Sequence, residues 1–190
     1  LLIGYWFEKD SNAAAGMKAF ITNRVGDLGF LIAMLVLVAH AGTLEIQEVL
    51  IKASSGEIRG WAMVYVAAAL FWASTGKSAQ IPLYIWLPDA MAGPTPVSAL
   101  IHAAAMVTSG IFVCTRMWPL FSMAPDVLPF IMWTGIGTAW LAALMALTQR
   151  DIKKVLAYST VSQLGFMFAA VGAGAPAAGF FHVVTHACFK

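Results

Sequence analysis

Long apolar stretches separated by short polar segments run through the 190 residues of the chain. A helix that crosses a bilayer needs about 20 mostly apolar residues, and stretches of roughly this length recur after an apolar start over residues 1–7. The pattern therefore predicts an all-α polytopic membrane protein. The predicted membrane spans are 19–41, 61–87, 95–118, 127–148, 154–171 and 176–190.

One polar stretch, residues 42–60, is longer than the other connections. Its "LEIQEVLIKA" is amphipathic, which predicts a short helix at the membrane surface. The chain begins with Leu1 rather than methionine, and it stops at Lys190 within an apolar pattern. We therefore expect it to be an internal fragment of a longer polypeptide.

The composition supports the membrane assignment. Hydrophobic residues make up 61% of the chain and charged residues 11%, with a mean hydropathy of +0.81, whereas soluble domains contain about 25% charged residues. The net charge is only +2 and the basic residues are scattered, so no nucleic-acid partner is expected. Two cysteines without CxxC spacing argue against an iron–sulfur cluster or a structural zinc site in this chain.

Basic residues are distributed unevenly between the two predicted faces of the membrane. An excess of lysine and arginine in short loops marks the cytoplasmic side, so the more basic face is predicted to lie in the cytoplasm or an organelle matrix. The protein would then be a multi-pass protein of a bacterial cell inner membrane or an organelle inner membrane. The more basic face carries Lys9, Lys18, Arg150, Lys153 and Lys154, and the other carries Lys52, Arg59 and Arg116 beside Glu45, Glu48 and Glu57.

Lys77 stands in the middle of an apolar stretch, "LFWASTGKSAQIPLYIW". It follows Trp61 by roughly 24 Å of helix, and a charged side chain at bilayer depth costs about 2.5 to 3.5 kcal/mol. Gly76 and Pro82 weaken the helix around it. Interrupted helices at this depth are tolerated where they face protein or a water-filled cavity. We therefore predict a broken helix and a hydrated site at Lys77.

Two other interpretations of this stretch compete with a hydrated site. The "GKS" sequence could end a phosphate-binding loop, but that motif needs glycine where Phe71 stands, and no strand precedes it. A lysine that snorkels to the interface remains the structural alternative.

Histidines mark a second candidate region. His182, His186 and Lys190 recur every four residues, which places them on one face of a helix. The HxxxH spacing can hold a metal, but two ligands alone are visible and no HExxH base is present. A hydrogen-bonded polar line is therefore favoured, and histidine suits a proton relay because its unperturbed pKa lies near 6.5.

Two further sets of residues leave structural and functional roles equally open. His102 lies in the span that begins near Pro96 and is a lone interior histidine. Arg24 and Asp27 are three residues apart and can form an ion pair on one helix face.

Three stretches carry a resemblance that covers the whole chain. These are "GKSAQIPLYIWLPDAMAGPTPVSALIHAAAMVTSGIF", "DIKKVLAYSTVSQLGFMF" and "FFHVVTHACFK". They resemble the antiporter-like subunits of respiratory complex I, NADH:quinone oxidoreductase, most of all the subunit 5 (subunit L) branch. The resemblance implies antiporter-like inverted repeats of transmembrane helices with a broken helix near Lys77, divided here into a first part, 1–118, and a second part, 127–190.

The same resemblance implies roles for individual residues. Lys77 matches a central proton acceptor that is modulated by a glutamate expected before Leu1, while the second repeat's broken-helix lysine is expected after Lys190. Arg24 and Asp27 match an RVGD element near the input side, in a supporting role. The remaining proton-translocation residues implied by the resemblance are His102, His182, His186 and Lys190.

The implied function is that of a proton-translocating subunit without a redox site of its own. NADH, FMN, iron–sulfur clusters and quinone would be held by partner subunits, since no GxGxxG follows a strand. Expected partners are the adjacent antiporter-like subunit, other membrane subunits, the lipid bilayer and protons. The alternatives are the large subunit of a multisubunit sodium/proton antiporter and a membrane scaffold in which Lys77 and the histidines only pair with helices outside this chain.

Overall fold

The structure, a computed structural model, describes residues 2–58 and 60–190, except for the side chains of Ala103 and Ala104. Leu1 of the apolar start and Arg59 of the less basic face lie outside the described residues. Helices and turns make up the described part, where no strand is found. The helices are α1 (Asp10–Ala41), α2 (Ile46–Ser55), α3 (Trp61–Lys77), α4 (Thr95–Ala99), α5 (Ser109–Arg116), α6 (Trp118–Ser122), α7 (Val127–Leu147), α8 (Ile152–Gly172) and α9 (Pro176–Phe189), with a 3₁₀ turn at Asp89–Ala92 and a π-helical segment at Leu100–Ala104.

Three of the described helices, α1, α7 and α8, are long and apolar enough to cross a membrane. Their outward faces expose large apolar side chains, which a soluble protein would bury and which suit contact with lipid or neighbouring helices. Examples are Leu28, Leu35, Trp133, Trp140 and Leu147. The spans predicted at 127–148 and 154–171 are thus confirmed as α7 and α8.

Helix α1 begins at Asp10, nine residues before the predicted start of the span. Its 32 residues extend over about 48 Å, which exceeds the roughly 30 Å thickness of a hydrocarbon core. Residues 10–18, which were predicted to lie outside the span, therefore belong to α1, whereas the apolar start before them forms turns in its described part. Gly42 ends the helix with φ 69° and donates its N–H to the carbonyl oxygen of Val38.

The span predicted over 61–87 is interrupted where the broken helix was expected. Helix α3 ends at Lys77, and Ala79 has φ 49°, in the left-handed region. Turns follow over residues 78–88 and lead into the 3₁₀ turn. The interruption near Lys77 is confirmed, whereas helix through residue 87 was wrong, since Pro82 has no N–H to continue the helical ladder.

A second interruption was not predicted. The span expected over 95–118 is divided into α4, the π-helical segment and α5, with no helix at residues 105–108. Ser78, just past the first break, donates its hydroxyl to the carbonyl oxygen of Val107 inside the second break, at 2.6 Å. This tertiary hydrogen bond provides a donor for the carbonyl oxygen of Val107, which a continuous helix would have provided locally.

Close helix packing organises the rest of the bundle. A Cβ at Gly135 of α7 would lie 2.6 Å from the carbonyl oxygen of Gly165 on α8, so the two backbones touch. Aromatic packing joins α3 to α8, where the rings of Phe71 and Phe168 stand 5.8 Å apart, edge to face. Helices α2 and α9 are present as predicted, while the surface position of α2 and the division into repeat parts stay predictions.

Candidate functional site

Lys77 lies in a three-residue charge cluster. Its Nζ is 2.9 Å from Oδ1 of Asp27, and Oδ2 of the same carboxylate is 3.3 Å from Nη1 of Arg24. The predicted pairing of Arg24 with Asp27 is thus confirmed, but the pairing of Asp27 with Lys77 was missed. One carboxylate therefore bridges two cations from two helices.

A glycine contact brings the two charged helices together. A Cβ at Gly26 of α1 would lie 3.0 Å from the Cα of Gly76 on α3, so the residues next to these glycines, Asp27 and Lys77, can meet. The indole of Trp72 also donates to the carbonyl oxygen of Val25, at 3.1 Å. Both contacts fix the register in which the carboxylate faces the ammonium group.

The end of α3 is satisfied by the chain that follows it. The indole of Trp86 donates to the carbonyl oxygen of Gly76 at 3.0 Å, and the backbone N–H of Gln80 donates to Thr75 at 3.0 Å. These bonds pair carbonyl groups that a helix end would otherwise leave without a partner. Lys77 is also the last residue of α3, where the partial negative charge of the helix favours a cation.

Two cavities adjoin the Lys77 cluster. One, of about 270 Å³, is lined by Asp27 and Lys77 together with Ser74 and Ser109. The other, of about 380 Å³, is lined by the same charged pair and by Asn23, whose buried Oδ1 has no partner among the described residues. A water molecule occupies about 30 Å³ in the liquid, so each cavity is large enough for several.

The histidine line on α9 packs against polar side chains of α8. His182 Nε2 is 2.8 Å from Oε1 of Gln163, and Lys190 Nζ donates to the hydroxyl of Ser159 at 3.1 Å. The rings of His182 and His186 are 6.5 Å apart. A cavity of about 260 Å³ is lined by both histidines, Gln163 and Ser159. The three residues predicted to share a face therefore lie along one polar seam between α8 and α9.

His102 lies in the π-helical segment between the two clusters. Its ring is buried, the π-helical segment packs against α9, and its neighbour Ile101 lines the larger Lys77 cavity. Neither ring nitrogen of His102 has a protein partner within the described ranges. Since buried polar atoms nearly always bond to protein or ordered water, the ring is placed to bind water, and π-helical turns of this kind are frequent at functional sites.

Three polar residues of these clusters were missed by the sequence analysis. Gln163 and Ser159 are four residues apart on α8, a spacing that could have shown them to share a face. Asn23 directly precedes Arg24, but nothing local shows that its side chain turns into the Lys77 cavity. Across the described part of the chain, no group of three or more metal-binding side chains lies close together, and His182 takes a glutamine as its partner.

Comparison with known proteins assigns the chain to a family. The transmembrane model of the NADH:quinone oxidoreductase/Mrp antiporter family matches residues 1–190. The chain belongs to this family. It is therefore an integral membrane protein with an antiporter-like, all-helical fold, as the resemblance implied.

Several relatives are similar over the whole chain. A protein named NAD(P)H-quinone oxidoreductase subunit 5, from the organellar chromatophore of Paulinella chromatophora, is 51% identical over 194 residues, which cover 29% of its length. NAD(P)H-quinone oxidoreductase chain 5 of Picosynechococcus sp. is 50% identical with the same coverage. The chloroplastic subunit 5 of Marchantia polymorpha is 51% identical, with 28% of its length covered. The expected resemblance to subunit 5 is confirmed, and the chain spans less than a third of these relatives.

Solved structures share the fold. A chain in the Mrp complex of Dietzia sp. matches 99% of this chain and 21% of its own length, with a TM-score of 0.88 and 35% identity. A chain in the membrane-bound sulfane sulfur reductase, an archaeal respiratory membrane complex, matches 98% of this chain and 39% of its own length, with a TM-score of 0.82 and 26% identity. Both neighbours belong to multisubunit membrane complexes.

Proposed function

We propose that this chain is part of a proton-translocating membrane subunit of NADH:quinone oxidoreductase, in which Lys77 is the central proton acceptor. The observation that carries the proposal is the ion pair of Lys77 with Asp27 at the end of an interrupted helix, beside two cavities. Identity near 50% to proteins named as subunit 5 of NAD(P)H-quinone oxidoreductase supports it.

The ion pair provides a physical means of loading and unloading a proton. Desolvation weakens the hold of an amine on its proton, and a nearby carboxylate strengthens it. A change in the distance between Asp27 and Lys77, or in the water around them, therefore changes the proton occupancy of the amine. A tenfold change in proton affinity corresponds to about 1.4 kcal/mol, while a membrane potential acts with about 2.3 kcal/mol per charge per 100 mV.

The α9 seam would continue the path away from Lys77. His102 would pass protons between the Lys77 cavity and the seam, since its neighbour Ile101 lines that cavity and the π-helical segment packs against α9. Each histidine can take up and release a proton near neutral pH. The amide of Gln163 orients His182, because a side-chain amide can both accept and donate a hydrogen bond.

Electron transfer would take place outside this chain. NADH, FMN, iron–sulfur clusters and quinone are assigned to partner subunits of the enzyme, and the chain contributes as the translocating part. Its partners would be the adjacent antiporter-like subunit and other membrane subunits of the complex. The membrane would be a bacterial cell inner membrane or an organelle inner membrane.

The test is Lys77→Ala in the full-length subunit within its assembled complex. NADH oxidation and proton uptake are recorded together in sealed inverted vesicles, with the exposed Lys153→Ala on α8 as the matched control. We expect an assembled complex whose proton uptake collapses, while the control behaves as wild type. Normal uptake in Lys77→Ala would refute the central role of Lys77, and loss of assembly alone would favour a scaffold.

A second candidate function is the large subunit of a multisubunit sodium/proton antiporter. The fold similarity to a chain of the Mrp complex favours it, although the sequence identity of 35% is lower than that to the relatives named as subunit 5. Sodium dependence of proton uptake in the absence of NADH would support this candidate. Uptake that needs NADH and ignores sodium would exclude it.

A further inference from the structure

A second ion pair links α1 to the segment that follows Lys77. Nζ of Lys18 is 2.6 Å from Oδ2 of Asp89. Lys18 lies near the start of α1, and Asp89 opens the 3₁₀ turn at Asp89–Ala92. The pair therefore contacts the far end of the non-helical residues 78–88.

The two ion pairs have opposite polarity. In the first pair, the carboxylate of Asp27 belongs to α1 and the amine of Lys77 directly precedes residues 78–88. In the second pair, the amine of Lys18 belongs to α1 and the carboxylate of Asp89 directly follows residues 78–88. Lys18 and Asp27 are about 13.5 Å apart along the same helix. Both ends of residues 78–88 are thus held against one continuous helix.

The outer pair lies in a cleft of about 440 Å³ at the more basic end of the bundle. The cleft is lined by Lys18 and Asp89 and, from the α7–α8 side, by Asp151 and Lys154. The loop charges predicted that Lys18 and Lys154 lie on the same face of the membrane, and both residues line this cleft.

We propose that Lys18 and Asp89 are positioning residues for Lys77, which hold the segment after the helix break in the register that keeps Lys77 against Asp27. The proposal rests on the proposed function, because it assigns these residues to the control of the same proton site. When the outer pair opens, residues 78–88 lose one of their contacts with α1, and the end of α3 that carries Lys77 is held less firmly against Asp27.

If the Lys18–Asp89 pair acted only on folding stability, its removal would have little effect. The side chains of Lys18 and Asp89 are 41% and 39% exposed, and ion pairs of such exposure contribute little to stability. Removing the pair should therefore leave the complex assembled, which makes the coupling between electron transfer and proton uptake the informative quantity.

The experiment compares Lys18→Met, Asp89→Asn and the swapped double variant Lys18→Asp with Asp89→Lys, in the full-length subunit of the assembled complex. The measured quantity is proton uptake per NADH oxidised in inverted vesicles. We expect each single variant to lower this ratio roughly threefold or more, in the range of coupling between interacting residues. The swapped variant should recover most of the ratio, and the exposed Asp126→Asn serves as the control.

Two outcomes would overturn the proposal. One is a wild-type ratio in both single variants, and the other is a swapped variant as impaired as the single ones, which would mean that a carboxylate is needed at position 89 itself. If a single variant fails to assemble, the swapped variant decides alone, since recovery of assembly and uptake supports positioning and its absence refutes it. A collapse in Lys77→Ala beside normal single variants would leave the proposed function intact and refute this inference only.

Discussion

The helix pair α1–α3 and the helix pair α7–α8 are built by the same packing principle but end differently. In both pairs glycine brings two backbones together, Gly26 against Gly76 in the first and Gly135 against Gly165 in the second. Helix α8 continues unbroken through its contact, whereas α3 stops at Lys77, one residue after its glycine. Close glycine packing therefore holds both helix pairs together, and only the α1–α3 pair adds, next to its glycine, a helix end that carries a charged side chain.

The two contacts also differ in the charge of the groups beside them. The α1–α3 contact carries Asp27, Lys77 and Arg24 beside cavities, and the helix end offers backbone groups and space to a charged side chain. At the α7–α8 contact, the hydroxyl of Ser162 donates to the carbonyl oxygen of Ala139. This hydrogen bond joins two uncharged groups. The first pair is thus the place to look for proton chemistry.

The largest effect is expected from filling the α7–α8 contact. In Gly135→Ala the new Cβ would lie 2.6 Å from the backbone nitrogen of Ala169 and from the carbonyl oxygen of Gly165, so one helix must move. Overpacking of this kind costs about 3 kcal/mol at the upper end of its usual range. We expect less assembled complex and a lower melting temperature by native electrophoresis and thermal denaturation.

The control for that substitution lies two residues away. At Gly137 of the same helix, the nearest atom to a new Cβ is Cδ1 of Ile81, at 3.9 Å, so Gly137→Ala should be tolerated. Equal behaviour of the two variants would show that backbone contact does not determine how α7 and α8 pair.

A smaller effect, confined to activity, is expected from Asp27→Asn. The change keeps the shape of the side chain but removes the charge that faces Lys77 at 2.9 Å. An opposite charge at this distance changes proton affinity by a factor of about 10 or more, so proton uptake per NADH should fall roughly tenfold with assembly intact. The exposed Asp10→Asn on the same helix is the control. Uptake that stays normal in Asp27→Asn would contradict the contrast between the two helix pairs.

The smallest effect concerns the link between the pairs. The hydroxyl of Thr138 on α7 accepts the backbone N–H of Ile81, just past the end of α3, at 3.1 Å. In Thr138→Val this N–H loses its acceptor, at a cost of about 1 kcal/mol, and the melting temperature should fall slightly. Thr134→Val is the matched control, because the hydroxyl of Thr134 bonds within its own helix. An equal loss in both variants would argue against a specific link.

The sequence by itself determined the membrane character, α7 and α8, the break beside Lys77 and the common face of His182, His186 and Lys190. These features are local, because apolar length, proline and four-residue spacing act within a few turns of one helix. The break could be predicted for the same reason, since Gly76 and Pro82 weaken the helix whatever its tertiary surroundings.

The tertiary structure alone decided which groups face one another. Asp27 was expected to pair with Arg24, three residues away, and its contact with Lys77 depends on the packing of Gly26 against Gly76. Lys18 and Asp89 are 71 residues apart, and the hydroxyl of Ser78 donates to the carbonyl oxygen of Val107 inside the second helix break. Such contacts have no local signature, because they form only when separate helices are packed in one register.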